Sequence, residues 1–473
     1  MSNDAEVAAI PRASWWTLGI TSVASFMVSM EITVIALAFD DIQESFDGVS
    51  RSTLSWIFTA YNIGVAALLL LAGWAADRFG RKRLFLMGLW VFLLGSVASG
   101  FSVDAPTLIA ARVLQSIGGA MQGPAGLALL LPAFPIERRG MAVGTWGAMG
   151  ALAAALGPTI GAVLINLFGW RSVFLVNVPV ALVAIALGAR HLTESRSEDL
   201  PDRVDAISVP MASVGVGLLV LAIAQTESWG VVSLPILVAL VASALLLTLF
   251  VRRSQRHPAP LFDLDLMRRR SYSVGLLGTV FFSAAFFGWF VVLPSFLIDS
   301  WEWSILQAGL ALVPGPALAA FVSPAVGRLA DRHGVGVVLT IGGISGVIGL
   351  AWHLVFTGEE PALLMGILIP ELFVGVSAGC SFAMLVAAAM RDIPPQRFGM
   401  AGAGRTTVFQ LAVAIGIAIG AAVVGDPESI GDALSRYRLN WVIALIFFAA
   451  QAVVFAVAYP SEESREPAER ASA

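Results

Sequence analysis

The stretch GWAADRFGRKR, running from Gly73 to Arg83, has a shorter echo in GRLADRHG, from Gly327 to Gly334. In both copies an aspartate follows the first glycine by four residues and precedes the next glycine by three. Each copy follows one long apolar run and precedes another. A chain that is 58% hydrophobic and repeats such a signature reads as a duplicated membrane protein. Duplicated membrane folds hold their substrate between the halves, so the repeat also indicates where function is expected.

Composition sets the solvent. Charged residues make up 13% of the 473 and the mean hydropathy is +0.85, whereas soluble domains carry about 25% charge. That much apolar surface calls for lipid around it. A net charge of -4 argues against a nucleic-acid partner. Cys380 is the only cysteine, so the chain forms no internal disulfide and no cysteine-based metal site. The four histidines lack ligand spacing, and neither a metal nor a cofactor is expected. No glycine-rich loop ends in Gly-Lys-Ser/Thr and no nucleophile pairs with a base, so the chain does not read as an enzyme. Its first fourteen residues lack the order of a cleaved signal.

Runs of about 20 apolar residues, the length that crosses a bilayer, occur at 15–39, 54–76, 84–103, 107–131, 141–165, 172–189, 206–225, 232–251, 273–298, 305–326, 335–357, 362–390, 400–424 and 440–459. The expected class is an all-α membrane protein with fourteen transmembrane helices. Basic residues concentrate after even-numbered runs, as at Arg78, Arg81, Lys82, Arg83, Arg138, Arg139 and Arg268 to Arg270. Loops after odd-numbered runs hold mainly acids, such as Asp41, Asp104 and Glu359. The positive-inside rule then places both termini in the cytoplasm. Aligning the signatures pairs runs 1–6 with runs 9–14 and leaves runs 7 and 8 over. The expected domains are a six-helix bundle over 1–190, a linker with two extra helices over 191–272, a second bundle over 273–460 and a disordered cytoplasmic tail over 461–473. Leu261 to Met267 reads as an amphipathic segment lying on the inner leaflet.

Four ionisable residues fall inside apolar runs: Glu31, Arg112, Glu371 and Arg405. Such a charge costs about 2.5–3.5 kcal/mol at mid-helix on insertion scales and marks function by default. Glu31 and Arg112 share the outer half of runs 1 and 4, within reach of an ion pair. Glu371 falls near the middle of run 12, and Arg405 lies near the inner end of run 13, where it could snorkel. A carboxylate whose neighbours change with conformation takes up and releases a proton. Glu31, Arg112 and Glu371 are therefore read as proton-coupling residues, with a static helix-locking salt bridge as the competing account and cation binding as the alternative for Glu371.

These residues sit among motifs that resemble the major facilitator superfamily and, within it, the fourteen-span drug:proton antiporters. Gly73, Asp77, Arg78, Gly80, Arg81 and Lys82 match the signature between spans 2 and 3. Arg112-Val-Leu-Gln115, with Gly118, Gly119 and Ala120, matches the span 4 motif, and Gly150, Gly157-Pro158 and Gly161 the span 5 antiporter motif. Trp170-Arg171, with Phe174, Asn177 and Pro179, is similar to the entry into span 6, and Gln225 to Gly230 to the turn between the extra spans. The chain departs from the pattern at Glu31, where the family usually has aspartate, at Asp40 in place of proline and at Ser116 in place of glycine. It also lacks a basic run after Gly334.

The resemblance implies two pseudo-symmetric six-helix bundles that rock about a central cavity by alternating access. They would export amphipathic drugs or toxic compounds in exchange for protons, with the proton gradient as energy source. Spans 1, 2, 4, 5, 9, 10, 12 and 13 would line the cavity. On such spans Met27, Met30, Trp56, Tyr61, Asn62, Gln115, Trp146, Trp289 and Arg405 are the expected cavity residues, since methionine adapts and aromatic faces attract cations, and Gln122 is a polar neighbour that could orient ligand or water. Gly73, Asp77, Arg78, Gly80, Arg81, Asp331 and Arg332 resemble a conformational latch, with Asp77 either capping a following helix or facing a helix dipole. Gly150, Gly157, Pro158 and Gly161 would form a smooth stripe between the halves, bent at Pro158. The expected partners are a small amphipathic substrate, protons and the bilayer, and the protein reads as a monomer of the cell inner (plasma) membrane. The alternatives are a dedicated exporter of one metabolite, lipid or peptide, a proton-coupled importer, and a non-transporting membrane sensor.

Overall fold

A computed structural model describes residues 10–46, 49, 51–135, 138–196, 205, 207–230, 233–257, 260–394, 397–425 and 429–460. Among them every regular element is helical. The first half contributes α1 (Arg12–Leu37), α2 (Phe39–Ser45), α3 (Arg51–Phe79), α4 (Arg81–Gly100), α5 (Ala105–Ala133), α6 (Arg139–Phe168), α7 (Ser172–Leu175) and α8 (Asn177–His191). An intervening group follows, with α9 (Ser208–Ala224), α10 (Thr226–Trp229) and α11 (Leu234–Ser254). The second half holds α12 (Arg270–Phe290), α13 (Leu293–Asp299), α14 (Ile305–Ala311), α15 (Pro314–His333), α16 (Val335–Phe356), α17 (Ile369–Met390), α18 (Phe398–Val424) and α19 (Ile430–Ala458).

Nine helical stretches among the described residues are long and apolar enough to cross a bilayer. The count is ten if Gln307–Ser323 and Ala325–His333, bent by 50°, form one span. The chain is thus an all-helical, multi-pass membrane protein. The expected fourteen is not reached on this count: α1, α5, α6 and the 17-residue α9 coincide with apolar runs but fall outside the nine. The tail at 461–473 lies outside the described residues.

Local chemistry starts and stops these helices. Asp104 caps α5 by accepting from the Thr107 amide at 2.8 Å and hydroxyl at 2.6 Å. Those bonds hold its exposed carboxyl below the usual carboxylate range. The two signature copies break the chain identically. Gly80 ends α3 at φ 113°, ψ 130°, and Gly334 ends α15 at φ 88°, ψ 150°, a region that side-chain-bearing residues rarely enter.

Within the first half α5 packs against α3, α4 and α1, and α1 against α6; within the second, α12 packs against α18 and α16 against α17 and α19. The halves meet where α3 touches α18 and where α6 touches α15 and α17. At the second contact a Cβ on Gly147 would stand 3.2 Å from the Ala383 backbone, the close approach that small residues allow. The extra helices flank the other seam. α9 lies on α3 and touches α18, and α11 lies against α9. Asp205 and Arg253, 2.7 Å apart, tie the two ends of this pair together.

One expectation is overturned here. Leu261, Phe262 and Leu266 do not lie on a leaflet; they are 2%, 5% and 0% exposed. They pack against Leu127 and Leu131 of α5, Val386 of α17 and Phe398 of α18. A groove between the halves buries these side chains more completely than a headgroup region would. Asp263 beside them pairs with Arg397.

Candidate functional site

Glu31 and Arg112 form a buried ion pair between α1 and α5, 2% and 0% exposed. Glu31 Oε1 accepts from Gln115 Nε2 at 2.9 Å and Asn177 Nδ2 at 2.7 Å, while Oε2 accepts from Arg112 Nη1. Arg112 also donates from Nη1 to Gln115 Oε1 at 2.6 Å and from Nε to the Ile57 carbonyl at 3.2 Å. Its guanidinium carbon lies 4.2 Å from the Tyr61 ring centroid and 5.6 Å from that of Phe174. Burying two opposite charges is tolerable only when their remaining hydrogen-bonding sites are met. The network meets all but a few, leaving Arg112 Nη2, Asn177 Oδ1 and the Tyr61 hydroxyl without partners. Five helices, α1, α3, α5, α7 and α8, converge on it, with residues of the span 4 motif and of the entry into span 6 among them. The sequence motifs include Asn177 and Phe174 but do not reveal this role.

A separate cavity of about 110 Å³ lies between the halves, room for several waters at about 10–15 Å³ each. From the first half Thr21, Ser25 and Ser29 of α1, Gly119 and Gln122 of α5, and Trp146 and Gly150 of α6 line it. The second half supplies Phe287 of α12, Phe382 of α17, and Arg405, Thr406, Phe409 and Gln410 of α18. Of the expected cavity residues, Trp146 and Arg405 line this space, as does the polar neighbour Gln122. The others do not, because their helices are rotated the other way. Met27 and Met30 are buried in the core of their own half. Tyr61 and Gln115 belong to the Glu31 network, and Asn62 donates to the Phe58 carbonyl at 3.1 Å. Trp56 packs on Trp229, 6.4 Å between centroids, beside the extra pair. Trp289 is 1% exposed in the core of the second half. The signal missed was Thr21, Ser25 and Ser29, hydroxyls at every fourth residue and so on one helical face.

The Glu31 network adjoins this cavity without opening into it. Gly119 lines the cavity, and a Cβ placed there would be 3.0 Å from the Tyr61 hydroxyl. Glu371, 1% exposed, occupies its own chamber of about 10 Å³, space for about one water, with Oε1 unpartnered. Phe382 is common to the walls of both spaces.

At the signature end Asp77 and Arg81 are buried and bonded at 2.9 Å. Asp77 does not cap α4. The Glu194 carboxylate does so, accepting from the Lys82 and Arg83 amides at 3.0 Å each. Asp77 instead reaches the other half and accepts from the Met400 amide, in the first turn of α18, at 3.2 Å. Gly73 and Gly80 are buried and Arg78 half-buried, whereas Asp331 and Arg332 of the second copy are exposed. The two copies share a backbone break but not an environment. Gly150 stands over Ser25 and Ser29, and Gly157 and Gly161 are buried along α6. The side chain of Pro158 lies outside the described residues. Among the described residues no group of three or more His, Cys, Asp or Glu could hold a metal.

The sequence matches the family model described as Major Facilitator Superfamily over residues 21–417 and again over 275–473. It is 32% identical over 418 residues to the multidrug resistance protein Stp of Mycobacterium tuberculosis, covering 88% of this chain and 76% of that protein. It is 30% identical over 407 residues to the methylenomycin A resistance protein of Bacillus subtilis, covering 86% of each. In fold it is similar to the human organic anion transporter MFSD10, with a TM-score of 0.67 at 16% identity over 94% of this chain and all of that one.

Proposed function

This chain belongs to the major facilitator superfamily of membrane transporters, and on that premise we propose that it exports amphipathic drugs or toxic compounds in exchange for protons. It is a transporter of small molecules and not an enzyme. In this reading it is a monomer of the fourteen-span drug:proton branch, placed in the cell inner membrane with both termini cytoplasmic, as the arginine distribution favours. The names of its relatives, resistance proteins against chemically unlike compounds, support export of toxic molecules.

The observation that carries the proton-coupled reading is the Glu31 network. A carboxylate buried beside an arginine holds or yields its proton according to how close that arginine and the amides of Gln115 and Asn177 stand. The network joins α1 and α5 to α8, so a rearrangement within the first half changes the acid's surroundings. Tyr61 lies between the network and the cavity, and in this reading the proton site sits one side chain away from the substrate. Rocking of the halves about the α3–α18 and α6–α17 contacts would then link proton exchange to cavity exposure. Asp77 at Met400 acts as the latch on one side.

The test uses purified protein in vesicles with an imposed pH gradient and a panel of amphipathic dyes. Wild-type protein should concentrate at least one dye against its gradient. Glu31→Gln should lose that uphill movement while retaining gradient-free exchange. Uphill pumping by Glu31→Gln at the wild-type rate would overturn the coupling assignment.

A further inference from the structure

The cavity between the halves has a one-sided charge. Among its described lining residues Arg405 is the only ionisable one. It is 6% exposed, its Nε has no hydrogen-bond partner, and its guanidinium carbon lies over the face of Phe409, 5.6 Å from the ring centroid. No carboxylate among the described residues pairs with it. Both acids that could neutralise it are committed elsewhere. Glu31 is saturated by Arg112, Gln115 and Asn177 on the far side of Tyr61. Glu371 is closed off behind Phe382 in its own chamber.

Arginine keeps its charge inside proteins and presents a planar fork of donors suited to an oxyanion. An unpaired guanidinium in so dry a site is costly unless a ligand supplies the missing acceptor. The remaining walls suit the rest of such a ligand. Trp146, Phe287, Phe382 and Phe409 offer aromatic faces, and Gln122 and Gln410 offer neutral amides.

We propose that the substrates this cavity selects are amphipathic organic anions, an aromatic body carrying a carboxylate or similar oxyanion that pairs with Arg405. This assignment rests on the exporter reading above and narrows it. A cationic drug would meet an unshielded like charge and no acid in the wall.

The experiment is equilibrium dialysis of the purified full chain in detergent against three probes with one ring system: 2-naphthoate, 2-naphthamide and 2-naphthylmethylammonium. The anion should bind at least about tenfold tighter than the other two, the scale of one charge-assisted hydrogen bond. Arg405→Gln should erase that preference, and Arg405→Lys, which keeps the charge, should retain most of it; size-exclusion profiles show whether each variant is folded. Absence of naphthoate binding, tighter binding of the ammonium probe, or an intact preference in folded Arg405→Gln would each overturn the proposal. The same protein in vesicles separates this from the parent reading. Proton-driven efflux of ethidium without binding or flux of naphthoate removes the anion class and leaves the exporter standing. Naphthoate binding with no flux of any probe under a pH gradient removes the exporter and leaves the site.

Discussion

Replacing Asp77 by asparagine should loosen the signature end of the molecule without unfolding it. Asp77 Oδ1 accepts twice from Arg81, from Nε at 3.1 Å and Nη2 at 2.9 Å, and Oδ2 accepts from the Met400 amide at 3.2 Å. Asparagine keeps one acceptor oxygen, so it can serve Arg81 or Met400 but not both. A hydrogen bond to a charged group contributes about 1.5–3 kcal/mol, and a carboxylate at a helix N-terminus about 0.3–1 kcal/mol. The 3.2 Å separation and the retained Arg81 contact put the loss near the bottom of that scale, about 1–2 kcal/mol. Because the Met400 contact joins the halves only while this end is closed, the closed-to-open ratio should fall by about 5- to 30-fold. Spin labels on cysteines replacing the exposed Arg83 and Asp392, with Cys380 changed to alanine, report the distance between the halves at this end. Wild-type protein should give mainly the short distance, and Asp77→Asn a large second population at longer distance. Identical distributions in wild type, Asp77→Asn and Asp77→Ala would refute the latch.

Other consequences are equally direct. In a double-mutant cycle on thermal unfolding, Glu31→Gln and Arg112→Gln should each destabilise by about 3 kcal/mol or more, and the double variant by clearly less than their sum; additive losses would mean that the pair is not coupled. Gly80→Ala forces a Cβ into positive φ and to 2.8 Å from the Glu194 carboxyl, so it should lower the melting temperature more than Gly147→Ala, which meets Ala383 at 3.2 Å with ordinary backbone. Burial opposes the charge on Asp205, but the Ser208 hydroxyl and the Arg253 guanidinium outweigh it and hold its carboxyl below the usual range. A folded-state pKa below the unfolded one stabilises above about pH 4 and is lost as pH falls through the lower, folded value. The melting-temperature gap between wild type and Asp205→Asn should therefore be full at pH 7 and close below pH 4.

The sequence was most legible where a residue is costly to misplace. Glu31 and Arg112 stood out because a charge in an apolar run needs a partner, and they are each other's. Gly80 and Gly334 stood out because the repeat put glycine where the chain must enter positive φ. Rotation of the helices about their axes was not legible. On α1 the cavity face differs from the core face only by the small hydroxyls of Thr21, Ser25 and Ser29, a weaker mark than the apolar bulk of Met27 and Met30, so the apolar pattern alone points to the wrong face. Of the two roles open to Asp77, capping the next helix fails because α4 is capped from 112 residues away by Glu194, and facing a helix N-terminus holds. Its actual partner lies in the opposite half, at Met400, a contact only the assembled tertiary structure creates.

The segment from Leu261 to Leu266 has a kinetic consequence. Phe262 presses on bare backbone at Gly404, where even a methyl group would fall 2.6 Å from its ring, one residue from Arg405. A swing that parts α5 from α18 on this side must strip the segment from Leu127 and Leu131 of α5, or else free it from α18 by withdrawing that ring and breaking Asp263 from Arg397, so the connector works as a doorstop. Turnover would then be throttled by a stretch that handles neither cargo nor hydrogen ion. Substitutions there would reset the speed of the machine while leaving its selectivity alone.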